Sequence, residues 1–262
     1  MMIRRELSKR PNHHDGHLHR TTGTEHMDGD GRVTAVLFDL DGTLVDSNGL
    51  HVDAWGEAFA DVGLRVGRER IEAEIGKAGD LLVPTIAGAD FDREQGEAVR
   101  RAHDIAFRRA VDARGVRLFD GALGFLSNVR QRKLHSAIAT SSSKVNLHLL
   151  ESKLHLRFDR CVEIVTSDGD ATKSKPAPDL VEIACSRLGV LPANAVFVGD
   201  SLHDAVAARR AGAHFIGVLT GYATEAALLG AGAVCVAQTI ASLHASFARA
   251  IEACEKRHHA KA

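Results

Sequence analysis

The sequence predicts an α/β fold, a doubly wound parallel sheet with an α-helical module inserted after its first strand. Short apolar runs alternate with helix-like segments along most of the chain. The runs are continuously apolar and do not alternate with polar residues, which is typical of strands covered on both faces. One interval, from residue 47 to about residue 118, contains no convincing strand and is predicted to be helical.

Six apolar runs are predicted to be strands, and four segments between them are predicted to be helices. The strands are VTAVLF (33–38), HSAIAT (135–140), CVEIV (161–165), AVFVG (195–199), HFIGVL (214–219) and AVCVA (233–237). The helices span about 121–132, 143–154, 177–188 and 203–211. Strand–helix alternation predicts parallel strands, and ligands of such sheets bind beyond the carboxyl ends of the strands.

The helical interval sets the predicted domain boundaries. The units are a disordered tail (1–31), a core domain (32–46 and 119–250), a helical cap domain (47–118) and a polar C-terminal tail (251–262). The connections between core and cap are expected near Asp46–Asn48 and near Arg117–Asp120. The spaced aromatic residues Trp55, Phe59 and Phe107 are predicted to form the core of the cap.

Composition excludes several classes of protein. The chain has 262 residues, of which 45% are hydrophobic and 26% charged, and this is typical of a globular protein. A net charge of −1 with a pI near 7.0 does not indicate nucleic acid or an anionic membrane as a partner. No apolar run approaches the roughly 20 residues that span a bilayer. The four cysteines are far apart and form no CxxC pair, so we expect reduced thiols in a cytoplasmic protein.

The N-terminal segment is polar and contains several histidines. They are His13, His14, His17, His19 and His26. These side chains could bind a metal, but the favoured interpretation is a solvated tail with incidental histidines.

The first predicted strand leads directly into two aspartates, Asp39 and Asp41, followed by Gly42 and Thr43. Carboxylates this close repel each other unless a cation neutralises them or one of them holds a proton. A strand that serves only to build the core gains nothing from this electrostatic repulsion. The pair therefore indicates a catalytic site.

Other polar residues follow other predicted strands. They are Thr140, Ser141 and Ser142 after the second strand, Lys175 after the third, and Asp200 and Asp204 after the fourth. In a parallel sheet these groups meet at one edge. Carboxylates, a lysine and hydroxyls suit phosphoryl transfer with Mg²⁺, because carboxylate oxygens bind this ion and an aspartate can attack phosphorus.

Four segments, in this order, resemble the motifs of the haloacid dehalogenase-like (HAD) superfamily. FDLDGTLVDS resembles the first motif, AIATSSSK the second, SKPAPD the third and FVGDSLHD the fourth. The resemblance extends from about Val33 to about Val236. It implies a Rossmann-like core and a Mg²⁺-dependent reaction through an aspartyl-phosphate.

The resemblance also implies roles for the matched residues. Asp39 would be the nucleophile and a Mg²⁺ ligand, and Asp41 the general acid/base, with its backbone carbonyl on Mg²⁺. Asp200 would be the other carboxylate ligand. Asp204 would either contact the direct ligands without touching the ion or bind the ion through a water molecule. The groups expected to bind phosphate are Lys175, the N–H of Leu40, and the hydroxyls of Thr140, Ser141 and Ser142. Ser141 is favoured as the second-motif residue with Thr140 as the alternative, and Ser142 could instead cap the following helix.

Asp41 favours a phosphatase or phosphomutase over a dehalogenase, because an alkoxide leaving group must be protonated.

The position of the cap in the chain resembles that in the subgroup of phosphoglycolate phosphatase and β-phosphoglucomutase. In LHVDAW, His51 is either a polar residue near the hinge or a group that couples cap closure to Asp41. Mutases carry a cap arginine, whereas EIGKAGDLLVPTIAG contains Lys77 and no arginine. Lys77 either contacts substrate or lies on the surface, and a phosphatase is favoured over a mutase.

The expected substrate is a small phosphorylated metabolite, such as a sugar phosphate or a phosphoglycolate-like ester. A monomer is the default expectation. The alternative from another functional class is a non-catalytic binding protein on this scaffold. The presence of both Asp39 and Asp41 argues against it.

Overall fold

The computed structural model describes residues 31–259, with side chains up to Arg257. Apart from Gly31, the predicted N-terminal tail and its five histidines lie outside the described residues. Within residues 31–259, none of the helices has the length and apolar character needed to cross a membrane.

Six parallel strands form one sheet, which confirms the predicted fold class. Each predicted strand overlaps an observed one, but the third begins at Ile164, three residues later than predicted. The strands are β1 (Ala35–Phe38), β2 (His135–Ala139), β3 (Ile164–Thr166), β4 (Ala195–Gly199), β5 (His214–Val218) and β6 (Cys235–Ala237). Their order in the sheet is β3-β2-β1-β4-β5-β6. The order reverses between β1 and β4, and in doubly wound sheets the crevice at this switch point is where ligands bind.

Helices cover both faces of the sheet. They are α6 (Ala122–Gln131), α7 (Lys144–Leu154), α8 (Asp179–Leu188), α9 (Leu202–Ala211), α10 (Glu225–Ala231) and α11 (Ile240–His259). Val36 and Phe38 of β1 belong to one hydrophobic layer, and Ala35 and Leu37 belong to the other. Since both faces of the strand are buried, every position in β1 must be apolar, which explains the continuous run in the sequence.

The last helix corrects one predicted boundary. Residues 251–259 continue α11, and the side chain of Cys254 is fully buried. The polar C-terminal tail predicted from residue 251 is therefore wrong over this stretch. An amphipathic helix on the surface exposes a polar face, and that face was read as a tail.

Helices also fill the interval between β1 and α6. They are α1 (Asn48–Asp61), α2 (Arg68–Glu72), α3 (Gly79–Ala87), α4 (Ala89–Phe91) and α5 (Glu97–Arg114), with a π-helical turn (Asp92–Gly96) before α5. Trp55 and Phe59 pack in a separate hydrophobic cluster with Leu82 and Val99. Phe107 does not join that cluster, because it faces the layer that contains Phe38. The prediction that Phe107 belongs to the cap core is therefore wrong.

The two connections between the helical insertion and the rest of the chain lie side by side. The N–H of Asp46 donates to the carbonyl of Arg117 (2.9 Å), and the N–H of Phe119 donates to the carbonyl of Leu44 (2.9 Å). The Arg117 guanidinium also pairs with the Asp46 carboxylate at 3.0 Å. These contacts bring both ends of the insertion to the carboxyl end of β1.

Candidate active site

The strand register brings the predicted residues to one edge of the sheet. Phe38, the last residue of β1, lies opposite Ile138 of β2 and Val198 of β4. The next residue, Asp39, continues the ladder, since its N–H donates to the carbonyl of Val198 (2.9 Å). The residues that follow β1, β2 and β4 therefore meet in the crevice at the switch point.

Lys175 joins two of the predicted carboxylates. Its ammonium Nζ lies 2.5 Å from Oδ1 of Asp39 and 2.7 Å from Oδ1 of Asp204. All three side chains are buried. The other oxygen of Asp204 accepts hydrogen bonds from the N–H (3.1 Å) and hydroxyl (2.6 Å) of Ser201 at the start of α9. Asp204 is thus held by protein donors on both oxygens, which suits a position behind the direct metal ligands.

Asp200 is oriented by two residues that the sequence analysis did not assign to the site. Its Oδ1 accepts from the hydroxyl of Thr43 (2.8 Å), and its Oδ2 accepts from the side-chain amide of Asn48 (2.9 Å). Two glycines leave room for this carboxylate. A Cβ on Gly42 would lie 2.4 Å from Asp200 Oδ2, and one on Gly221 would lie 1.9 Å from it. Thr43 could have been assigned to the site from the sequence because it directly follows Asp41 and Gly42. No sequence pattern pointed to Asn48 or Gly221.

The carboxylates form a site that fits a divalent cation. Asp39, Asp200 and Asp204 each offer an oxygen, and these atoms lie within 4.8 Å of one another. Three carboxylates face one ammonium group, that of Lys175, so two negative charges remain without compensation. Burial raises the pKa of Asp39 well above its usual value, and burial next to Asp204 raises the pKa of Asp200 to about 7. A hard divalent cation such as Mg²⁺ would relieve this repulsion.

Asp41 has a different environment from Asp39. Its Oδ1 accepts from the hydroxyl of Ser47 (2.6 Å) and lies 3.3 Å from Nε2 of His51, and its Oδ2 accepts from the hydroxyl of Ser142. Burial raises the pKa of Asp41, but the charge and hydrogen bond of His51 and the hydroxyls of Ser142 and Ser47 outweigh it and lower the pKa to about 2. His51 therefore reaches the predicted acid/base residue.

The residues after β2 occupy three different positions. The N–H of Ser142 donates to Oγ1 of Thr140 (3.0 Å), while the Ser142 hydroxyl contacts Asp41. Oγ of Ser141 is buried and has no hydrogen-bond partner within residues 31–259. Leu40 lies between the two aspartates with a buried side chain, and its carbonyl accepts from the N–H of Leu44 (2.9 Å). A buried hydroxyl without a partner needs one, and this favours Ser141 as a ligand-binding group.

Asp39, Asp41, Lys175 and the residues after β2 line a cavity of about 180 Å³ between the helical insertion and the sheet edge, and Asp200 and Asp204 lie behind its wall. The cap side contributes Lys77 and Arg100. Lys77 pairs with Glu74 and lies 3.4 Å from the hydroxyl of Thr85. Arg100, on α5, donates to Asp92 at 2.6 Å. The sequence analysis found no arginine beside Lys77, but the structure brings one to the same cavity from a later helix.

Comparisons with known proteins agree with this architecture. The family model described as haloacid dehalogenase-like hydrolase matches residues 36–218, which is more than half of the chain. A phosphoglycolate phosphatase of Nitrosospira multiformis is 32% identical over 196 residues, covering 72% of this chain and 85% of that protein. Pyrophosphatase PpaX of Bacillus velezensis is 31% identical over 192 residues, covering 72% and 84%. The crystal structure of a hydrolase from Pseudomonas syringae has a TM-score of 0.77 and 29% identity, covering 82% of this chain and 98% of that one.

Proposed function

The chain belongs to the haloacid dehalogenase-like hydrolase family, and we propose that it is a Mg²⁺-dependent phosphatase that hydrolyses a small organic phosphate monoester. The observation that carries this proposal is the placement of Asp39 and Asp41 in one cavity with different partners. Asp39 contacts Lys175 and lies beside the other acidic residues, whereas Asp41 contacts His51 and two hydroxyls. Two carboxylates in different environments can divide the roles of nucleophile and acid/base.

The proposed reaction has two steps. An oxygen of Asp39 attacks phosphorus, and the bond from phosphorus to the ester oxygen breaks. Asp41, which must first take up a proton because its pKa is about 2, gives that proton to the ester oxygen. Water then attacks the aspartyl-phosphate, Asp41 takes a proton from this water, and phosphate leaves with Asp39 restored. Lys175 and the hydroxyl of Ser141 would bind phosphate oxygens and stabilise charge that develops on them.

The residues suited to hold Mg²⁺ are Asp39, Asp200 and the backbone carbonyl of Asp41, with Asp204 behind them. When bound, the ion would supply positive charge beside the phosphate and neutralise the repulsion among the carboxylates. Thr43, Asn48 and Gly221 would keep Asp200 in place for it.

The substrate class follows from the size and polarity of the cavity. About 180 Å³ suits a small ester, and the wall combines charged and hydroxyl side chains with apolar ones such as Trp55 and Ile75. The names of the similar proteins given above indicate different phosphate compounds as substrates. Sequence similarity therefore supports a shared phosphatase chemistry and does not single out one substrate. We propose a sugar phosphate or a phosphoglycolate-like ester.

The monomeric state and the cytoplasmic location remain predictions. All four cysteines are free thiols, as the sequence analysis expects.

The test is release of inorganic phosphate from a panel of small phosphate esters, with Mg²⁺ and after its removal by a chelator. Asp39→Asn should abolish turnover, and Asp41→Asn should reduce it most for esters of alcohols that are poor leaving groups. Asp61→Asn makes the same chemical change at an exposed residue in the last turn of α1, and should leave turnover unchanged. The proposal fails if no ester is hydrolysed, or if Asp39→Asn keeps the activity of the wild type.

A phosphomutase is the second candidate function, because Arg100 offers a cation on the cap side that could hold a second phosphate. Its pairing with Asp92 favours the phosphatase, since a second phosphate would have to compete with this carboxylate. Isomerisation of β-glucose 1-phosphate in the presence of a bisphosphate primer, without phosphate release, would support the mutase instead.

A further inference from the structure

A chain of four contacts extends from Asp41 along the cap side of the same cavity. Oδ1 of Asp41 lies 3.3 Å from Nε2 of His51, and Nδ1 of His51 lies 3.1 Å from Nε2 of His103. Nδ1 of His103 lies 3.3 Å from Oδ1 of Asp104, which accepts from the side-chain amide of Asn146 at 3.0 Å. The chain connects Asp41 to α1, α5 and α7.

Packing holds the two imidazole rings in place. The His51 ring stacks on Phe107 with centroids 3.8 Å apart and planes within 8°. The His103 ring stacks on Trp55 at 3.9 Å and 17°. Both histidines are buried, with exposed fractions of 8% and 5%. A half-turn of either ring would keep the stacking but would put a carbon in the place of Nδ1 and break the contact that Nδ1 makes.

The carboxylate at the far end sets the direction of the hydrogen bonds. A carboxylate only accepts, so Nδ1 of His103 must carry the hydrogen that points to Asp104. Burial lowers the pKa of His103 to about 4, so the ring is neutral and has one N–H. Its Nε2 is therefore an acceptor, and it takes the hydrogen on Nδ1 of His51.

This order decides what His51 presents to Asp41. With its Nδ1 hydrogen committed to His103, His51 faces Oδ1 of Asp41 through Nε2, and the two contacts together hold the ring in one orientation. The opposite tautomer would place a lone pair of His103 against Asp104.

We propose that His103 is a positioning residue, oriented by Asp104, which fixes the tautomer and the orientation of His51 so that Nε2 is the atom held against Asp41. This inference rests on the proposed function, in which Asp41 protonates the leaving oxygen. A His51 ring held in this way would keep Oδ1 of Asp41 in place for that proton transfer.

The kinetic test compares two esters with different leaving groups. p-Nitrophenyl phosphate has a leaving group that needs little protonation, whereas a simple alkyl phosphate needs a full proton. His103→Phe keeps an aromatic ring beside Trp55 and removes both nitrogens. It should lower kcat/KM, which reports the step in which the leaving group departs, about 10- to 100-fold for the alkyl ester, because Asp41 remains and only part of the roughly 10²–10⁴-fold contribution of general acid–base catalysis is lost. It should change kcat/KM for p-nitrophenyl phosphate by less than about threefold.

His103→Gln is the conservative variant, because a glutamine amide can accept from His51 and donate to Asp104. It should restore most of the alkyl-ester activity. His244→Phe makes the same change as His103→Phe at a residue that stacks on Phe125 away from the cavity, and should affect neither ester. Equal losses for both esters in His103→Phe would show a merely structural role and overturn the inference, as would no loss at all.

A spectroscopic measurement on the wild type tests the inference without using activity. Nitrogen-15 NMR of the histidine rings should show a hydrogen on Nδ1 of both His51 and His103 and an acceptor Nε2 on His103. A hydrogen on Nε2 of His103 would overturn it. If the wild type hydrolyses neither ester, the proposed function fails, while the NMR result still decides the tautomers.

Discussion

Replacing Gly221 by alanine should damage the proposed metal site by steric overlap alone. The added Cβ would lie 1.9 Å from Oδ2 of Asp200 and 2.8 Å from its Cγ, whereas ordinary contacts begin at 3.4 Å. One side must move by about 1.5 Å. The glycine loop is anchored, because the hydroxyl of Thr220 donates to the carbonyl of Gly42 (2.5 Å) and the N–H of Leu219 donates to the carbonyl of Ala237 (3.0 Å). We therefore expect the Asp200 carboxylate to move.

That movement breaks the contacts that orient Asp200. The hydrogen bonds from Thr43 and Asn48 are 2.8 and 2.9 Å long, and each hydrogen bond to a charged group contributes about 1.5–3 kcal/mol. A misplacement of about 1 Å in an active site can cost about 100-fold in rate. Gly221→Ala should thus lower kcat/KM about 100-fold and raise the Mg²⁺ concentration needed for half-maximal activity at least about tenfold.

The assay is Mg²⁺-dependent phosphate release by the wild type, Gly221→Ala and Gly230→Ala, with circular dichroism to confirm that each is folded. Gly230 lies in α10, and a Cβ there would meet nothing within 4 Å. It is the matched control and should behave as the wild type. A folded Gly221→Ala protein with unchanged activity and unchanged Mg²⁺ dependence would refute the assignment of Asp200 as a ligand held in a glycine-lined space.

Three further predictions concern other residues of the site. Lys175→Met removes the ammonium group between two buried carboxylates. It should abolish turnover and lower the free energy of unfolding by about 3–5 kcal/mol, measured by thermal or denaturant unfolding. The control is Lys173→Met at an exposed neighbouring residue, which should change neither turnover nor stability. Ser141→Ala removes a buried hydroxyl that has no hydrogen-bond partner in the described part of the chain. The melting temperature should therefore stay the same while inhibition by inorganic phosphate weakens about tenfold. A lower melting temperature with unchanged inhibition would contradict this. The pKa of His103 is about 4 in the folded protein, below its usual value of 6.5. Between these two pH values the unfolded chain therefore binds more protons than the folded one. The stability that neutral His103 contributes is complete above pH 6.5 and is lost as the pH falls toward 4. His103→Gln should reduce that acid-induced loss by up to about 3 kcal/mol in denaturant unfolding at several pH values, and identical pH profiles would rule this out.

The residues that follow the strands could be identified from the sequence because their positions depend on topology alone. Asp39, Thr140 and Asp200 each come directly after a run that forms a parallel strand, and parallel strands end at one edge. No knowledge of side-chain packing was needed to bring them together. The roles assigned to them remain proposals.

The helix α11 shows a signal that was present but not used. Ile240, Leu243, Phe247, Ala250 and Cys254 are buried, and their spacing of three and four residues is that of one face of a helix. The polar residues among them belong to the exposed face. Periodicity, and not mean polarity, distinguishes such a helix from a tail.

The sequence by itself therefore determined the α/β class, the approximate positions of the strands along the chain and the set of groups at the ends of β1, β2 and β4, whereas the order of the strands in the sheet came from the structure. Only the tertiary structure decided that Asn48 and Gly221 surround Asp200, that His103 contacts His51, and that Arg100 shares a cavity with Lys77. These contacts join segments far apart in the chain. The contacts of Asn48, His103 and Arg100 depend on how α1 and α5 pack, and that of Gly221 depends on the path of the chain after β5. No local spacing in the sequence specifies either.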